Sequence, residues 1–373
     1  MIKPRIIVTG ATGRTGSVVA SELLKAGYPV RAMVRREDDR SALLKAQGAE
    51  IAVADMSDVE RIADALRDVQ GAYYCPPLDP YMIQGAVAFT VAAKEARLER
   101  IVSLTQWLAS PSHPSLMTRQ HWLVDRLFSM TPRVAHTIVN PGFFADSYLV
   151  TIGLAAHLGL FPWMYGKSRN APPSNEDIAR VAVAALMNPA RHAGKSYRPT
   201  GPELLGAEDM AKAIGRAVGR SVRVVPTPTW LFMKAARMAG MSIDVMSNVR
   251  YYIDDHKRGA FELGAPTTDV LDVTGRSPEN FETIARRYAA QPRNQRKLGN
   301  WIREFVDFMI APLSPGFNLD QYDRELRRPF LSEPQFAPES KVWRREHGIA
   351  EPAASVHEKA PFTISRGQWL ESR

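Results

Sequence analysis

The 373-residue chain contains a single cysteine, Cys75, which excludes an intramolecular disulfide and fits a reducing compartment. It reads as a small buried strand residue. No zinc-type spacing of cysteine and histidine occurs, so no metal is expected. One apolar segment, "YLVTIGLAAHLGLFPWMYG" at 148–166, is interrupted by Gly153, His157, Gly159 and Pro162. It falls short of the ~18 uninterrupted apolar residues of a membrane span, and an amphipathic wall over an apolar pocket is expected instead. The chain reaches "RIIV" within a few residues of its start, leaving no room for a signal peptide, so a cytoplasmic protein is expected. Acidic residues are outnumbered 39 to 48, and the net charge of +9 would suit a polyanion. The basic residues are nevertheless scattered and carry no nucleic-acid motif; a phosphorylated cofactor would account for part of the excess.

What the chain does have is alternation. Short β-branched runs, "RIIVTG" (5–10), "YPVRAMVR" (28–35), "EIAVAD" (50–55), "GAYYCPP" (71–77) and "ERIVSLT" (99–105), are separated by helical patterns. Further strands are expected at 134–142, 195–201 and 221–228, and a helix over 175–189 with Asn175 as its N-cap. The fold class is α/β: a doubly wound parallel-sheet Rossmann fold with a smaller, mostly helical substrate subdomain and a C-terminal extension. The expected divisions are 1–150 for the dinucleotide-binding core, 151–291 for the subdomain with a returning strand and helix of the core around 175–201, and 292–373 for the extension.

"TGATGRTG" (9–16) joins the first strand to the first helix, with Gly10, Gly13 and Gly16 at three-residue spacing. The first glycine permits the tight turn, the second lets backbone approach a pyrophosphate, and the third lets helix and strand pack closely. Thr12, Arg14 and Thr15 lie in the same loop, and the helix N-terminus presents free amides to an anion. The second strand ends in Arg35 and Arg36 rather than in the acidic residue that binds a ribose hydroxyl, which selects NADPH over NADH. Arg14 is a further guanidinium for the same 2′-phosphate.

With this loop, the Arg-terminated strand and "VADMSD" (53–58), the chain resembles the NmrA-like family of atypical short-chain dehydrogenases. "TIVNPGFFADS" (137–147), "SNEDIARVAVAAL" (174–186), "YRPTGPELLGAEDMAKAI" (197–214) and "DVTGRSPENFETIA" (272–285) extend the resemblance over roughly residues 5–291. It implies Asp55 and Met56 beside the adenine, Pro76 and Pro77 along the cofactor, and Asn140, Gly142 and Phe143 near the nicotinamide. Family members include reductases of quinones, azo dyes, triphenylmethane dyes, enones and ethers, together with redox-sensing regulators that lack catalysis.

The catalytic pair is where the sequence departs. Most short-chain dehydrogenases use Tyr-x-x-x-Lys, but "MTRQHWLVDRL" (117–127) places Met117 at the Tyr position and His121 at the Lys position. His121 there resembles the quinone-reductase branch of the family. Asp125 lies one helical turn on and is expected to orient the imidazole and favour its charged form, so that His121 binds the ribose or relays a proton. Ser103 and Thr105, at the end of the fifth strand, are the hydroxyl candidates.

Trp107, Phe143, Phe144, Tyr148, Phe161, Trp163 and Tyr165 fall in segments above the strand ends, where they serve either an aromatic substrate or ordinary packing. The expectation is an NADPH-dependent reductase of a small hydrophobic, aromatic or conjugated electrophile: a quinone, enone or azo compound. The alternatives are a non-catalytic NADP(H)-sensing regulator and a redox-neutral enzyme that retains the dinucleotide. In the extension, "KLGNWIREFVDFMI" (297–310) spaces Leu298, Trp301, Ile302, Phe305 and Met309 on one helical face. That pattern suits a docking arm against the body or a second subunit, giving a homo-oligomer. A partly disordered tail or a membrane-surface helix are the other readings.

Overall fold

The structure is a computed structural model that describes residues 3–351. The chain runs β1 (Ile6–Val8), α1 (Arg14–Lys25), β2 (Val30–Val34), α2 (Asp39–Ala46), β3 (Glu50–Val53), α3 (Val59–Ala65), β4 (Gly71–Tyr74), α4 (Met82–Glu95), β5 (Arg100–Leu104), α5 (Leu116–Ser129) and β6 (Ala135–Val139). It continues through α6 (Ala145–Leu149), α7 (Ile152–Leu158), β7 (Leu160–Trp163), α8 (Asn175–Met187), β8 (Ser196–Tyr197) and β9 (Arg223–Pro226). Seven strands form one sheet in the order β3-β2-β1-β4-β5-β6-β8, every pair parallel. This is the expected doubly wound α/β fold. The order reverses between β1 and β4, which opens a crevice at the carboxyl ends of those two strands.

Helices cover both faces of the sheet, so β1, β2 and β5 are buried throughout and are largely apolar, with Arg31, Arg100 and Ser103 as the exceptions. On one face α1 and α8 bury Val19, Leu23, Ile178 and Val181 against the strands. On the other, α3, α4 and α5 contribute Ile62, Phe89, Val124 and Phe128. Asp58 caps α3 by accepting from the Arg61 amide at 3.1 Å. The cap of α8 is Ser174, whose hydroxyl accepts from the Asp177 amide at 3.0 Å, and not Asn175. Asn175 is one residue inside the helix, and its side chain is used elsewhere.

The 148–166 segment folds differently from a single amphipathic wall. Gly159, at φ +72°, ends α7, and Leu160–Trp163 then pairs in parallel with β9 to make a second, two-stranded sheet. Its side chains fill a separate core in which Tyr148, Phe161, Trp163 and Tyr165 pack with Met210, Ile214 and Ile284. No helix among the described residues is long and apolar enough to cross a membrane.

Within the extension, the helix Leu298–Ile310 has no buried residue. It turns Glu304 toward Gly153 of α7, while Leu298, Trp301, Ile302, Phe305 and Met309 are exposed. Farther on, Trp343 in the helix Lys341–Glu346 is fully buried against Trp107 in the loop after β5. Residues 352–373 of the extension lie outside the described residues.

Candidate active site

The glycine loop sits at the carboxyl end of β1. Gly10 adopts φ +60°, and the Gly13 amide donates to its carbonyl at 2.8 Å. A Cβ on Gly16 would stand 2.3 Å from that carbonyl oxygen, and one on Gly13 would stand 3.0 Å from it. The turn is therefore too tight for side chains, and only glycine brings the backbone of the loop this close to α1. Gly13 is the N-cap of α1 without a side-chain cap, so no side chain competes with an anion for the first-turn amides. Cys75, just past β4, packs against Gly10 and exchanges hydrogen bonds with the Thr9 hydroxyl. Burial pushes its thiol up to about 11, so it stays protonated at neutral pH.

Arg14 does not stand free beside Arg35. Its guanidinium donates to Asp146 Oδ2 at 2.9 Å, and the same oxygen accepts from Asn175 Nδ2 at 2.9 Å. Asn175 Oδ1 in turn accepts from the Thr15 hydroxyl at 2.9 Å. This chain ties the first turn of α1 to α6 and α8, because a buried carboxylate such as Asp146 requires a cation and donors at hand. Asp146 was not singled out from the sequence, although it lies within "NPGFFAD", and its 132-residue separation from Arg14 gives no local signal. Arg35 and Arg36 are exposed immediately beyond β2, with no carboxylate pairing among the described residues. Asp55 accepts from the Ser57 amide at 2.9 Å and hydroxyl at 2.6 Å. Those bonds, with Arg35 nearby, hold its carboxyl below the usual range. Met56 lies against Gly85 of α4, where a Cβ would approach it to 3.1 Å.

Pro76 is buried and Pro77 half-buried past the end of β4. Asn140, just after β6, is buried; its amide donates to the Tyr197 carbonyl at 2.9 Å, and its Oδ1 has no partner among the described residues. Asp146 Oδ1 is likewise buried and unpartnered. Orphaned acceptors just past β6 and on α6, with a loop at the end of β1 that has room only for backbone, fit a bound dinucleotide. Gly142 and Phe143 also pack on aromatic rings. A Cβ on Gly142 would lie 3.2 Å from the Phe261 ring, and Phe143 packs edge-on to Tyr148 at 5.0 Å.

The expected His121–Asp125 pair does not form. His121 is buried with Nδ1 3.4 Å from the Thr105 hydroxyl, and burial pulls it down to about 4, so the ring is neutral rather than charged. Asp125 is buried too and accepts from the Ser103 hydroxyl at 3.2 Å. Burial raises its carboxyl to about 7. The two side chains share one helix face, but His121 turns to Thr105 and Asp125 to Ser103. Ser103 also lies 2.9 Å from His136 Nε2 on β6, a residue that the sequence reading passed over. Met117, in the first turn of α5, is buried and lines a cleft with Pro80, Leu116, Tyr251 and Phe330. Trp107 is sandwiched, with the Arg198 guanidinium 3.6 Å from its ring centre and Trp343 edge-on at 5.2 Å.

A tight glycine turn before a helix at the switch point of a parallel sheet defines a dinucleotide-binding protein of the Rossmann class. The NmrA-like family model matches residues 2–122. The chain is 31% identical over 290 residues to an NAD(P)H azoreductase of Xenophilus azovorans, covering 76% of this chain and 98% of that protein. It is 28% identical to a (4-alkanoyl-5-oxo-2,5-dihydrofuran-3-yl)methyl phosphate reductase of Streptomyces griseus, over the same shares of 76% and 98%. Among solved structures, the NADPH-dependent quinone oxidoreductase of Escherichia coli complexed with NADPH superposes with a TM-score of 0.64. It is 22% identical and covers 76% of this chain and 99% of that one. The chain belongs to the NmrA-like family.

Proposed function

We propose that the chain is an NADPH-dependent reductase of a hydrophobic, aromatic or conjugated electrophile such as a quinone, enone or azo compound. When bound, the reduced nicotinamide supplies the hydride. The glycine loop and the N-terminus of α1 hold the diphosphate, Arg35 and Arg36 take the 2′-phosphate, and Asp55 and Met56 flank the adenine. Asn140 offers its free carbonyl oxygen toward the nicotinamide side.

The observation that carries the reading is Met117. A buried thioether occupies the first turn of α5 and lines a cleft, where a tyrosine-dependent dehydrogenase would present a phenol. One turn further along α5, His121 is neutral. A site so built has weak means of polarising an ordinary ketone, whereas quinones, azo groups and enones accept hydride with little help from a strong acid. The azoreductase relative and the quinone-reductase fold neighbour support this substrate class.

The test is NADPH consumption by the purified full chain against panels of quinones, azo dyes, enones and simple ketones. Turnover confined to the first three panels is expected. Turnover with simple ketones alone, or with none of the four panels, rejects the reading.

A further inference from the structure

Two periodicities meet under the candidate site. His121, Asp125 and Ser129 recur every four residues and form one stripe along α5, while Ser103 on β5 and Thr105, one residue past its end, are two positions apart. Together with His136 they make a continuous polar file in a layer otherwise packed with Val124, Phe128 and Leu98.

The links are explicit. His121 Nδ1 lies 3.4 Å from Thr105 Oγ1, and the Thr105 hydroxyl is close enough to the Asp125 carboxyl to lower it. Ser103 Oγ lies 3.2 Å from Asp125 Oδ1 and 2.9 Å from His136 Nε2, and His136 Nδ1 lies 3.0 Å from Ser129 Oγ. All are buried except Ser129, which is exposed at the carboxyl end of α5. Because α5 runs antiparallel to the strands, the file starts at the strand carboxyl ends and emerges at the opposite edge of the sheet. The eight helical steps from His121 to Ser129 span about 12 Å.

We propose that these six side chains are a proton relay, which carries a proton from solvent at Ser129 to His121 and from there to the substrate as it is reduced. The proposal rests on the reductase reading above. Each member can donate and accept: the hydroxyls and neutral imidazoles do so by nature, and Asp125 does so because its carboxyl titrates near neutrality. A file of this kind is expensive to bury without a use, since apolar side chains would fill the same layer without desolvation cost.

The balance is one proton per turnover. The substrate takes up a hydride and one proton; an N–H bond of His121 breaks as the new bond to the substrate forms. Each link then passes its proton forward, and water at Ser129 makes good the loss. Charged groups bearing on the file are few: Arg126 on α5 and Glu346 on the helix Lys341–Glu346 act on Asp125, and the two imidazoles face it through the hydroxyls. Delivery from behind the sheet also explains how Met117 can replace the phenol without leaving reduction short of a proton.

The test uses Ser103→Ala, which cuts the middle of the file, and His136→Phe, which removes its far end. Both are compared with the wild type for folding by circular dichroism and for NADPH affinity. A relay predicts that kcat falls about tenfold or more, with KM and NADPH binding little changed, and that the solvent deuterium isotope effect on kcat rises. External imidazole should restore part of the rate in His136→Phe. Unchanged kcat and isotope effect in both folded variants overturn the relay. A readout independent of turnover is the infrared carbonyl band of protonated Asp125 in the protein without cofactor, identified by its loss in Asp125→Asn. It should shift in both relay variants, and an unmoved band contradicts the coupling. If the wild type oxidises no NADPH on any panel, the reductase reading fails by itself, and the infrared result still reports on the file.

Discussion

The Trp343 indole N–H donates to the Trp107 carbonyl at 2.7 Å, joining residues 236 positions apart. The contact fixes the extension to the loop that follows β5, on the side of the sheet where Met117 and Thr105 lie. Ser340 adds hydroxyl contacts to Ser110 and Ser112, and Glu346 accepts from the Trp122 indole at 2.9 Å. Relatives that are matched over almost their whole length leave about a quarter of this chain outside the alignment.

Truncating Trp343 tests whether that contact holds the extension. Trp343→Ala removes a fully buried ring and its hydrogen bond, with an expected loss of about 3–5 kcal/mol. Urea unfolding measures the loss, and limited proteolysis should show earlier cleavage after residue 292. A change under about 1 kcal/mol would show that the ring is not a structural anchor.

The glycine loop makes a graded prediction. A Cβ on Gly16 meets a backbone oxygen that cannot yield cheaply, whereas one on Gly13 is merely tight. Gly16→Ala should therefore weaken NADPH binding more than Gly13→Ala, with a larger fall in Tm. Fluorescence titration decides it, and the reverse order counts against the close approach of α1.

Arg35→Ala should discriminate between the two nicotinamide cofactors. Losing a charge-assisted bond to phosphate costs about 1.5–3 kcal/mol, or roughly 10- to 150-fold in Kd for NADPH. NADH binding should stay unchanged; equal losses for both would reject the phosphate assignment.

Stability against pH follows from the buried titrating groups. Asp125 is raised to about 7 against 3.8 unfolded, so the folded chain holds its proton more tightly. Its contribution to stability is full below the unfolded value and is lost as pH rises through about 7. His121 and His136 are both lowered to about 4 from 6.5, so their contribution is full above 6.5 and is lost as pH falls toward 4. The Tm of Asp125→Asn relative to wild type should therefore climb between pH 4 and 8. A difference independent of pH would contradict a neutral, buried Asp125.

All seven strands of the main sheet were legible because each is a short run, most of them β-branched or aromatic, between helical patterns, and the glycine loop because its constraint is local. Contacts set by tertiary packing were not. Nothing local to Arg14 announces its pairing with Asp146, and Asn175 reads as a cap until Thr15 and Asp146 engage its amide. The spacing of His121 and Asp125 correctly puts them on one stripe, but only the packing of β5 against α5 reveals that His121 engages Thr105 while Asp125 engages Ser103. Leu160–Trp163 escaped as a strand because Pro162 and the neighbouring Gly159 mask four residues whose partner lies about sixty positions away.

The reductase reading is tested most directly by label transfer. The full chain is incubated with NADPH deuterated at the transferring position of the nicotinamide and with a conjugated enone, and the product is examined by mass spectrometry. Deuterium bonded to carbon in the reduced product, at a rate matching NADPH loss, is the expected result. Cofactor that binds tightly but yields no labelled product with any enone, and no oxidation with quinones or azo dyes, would contradict it.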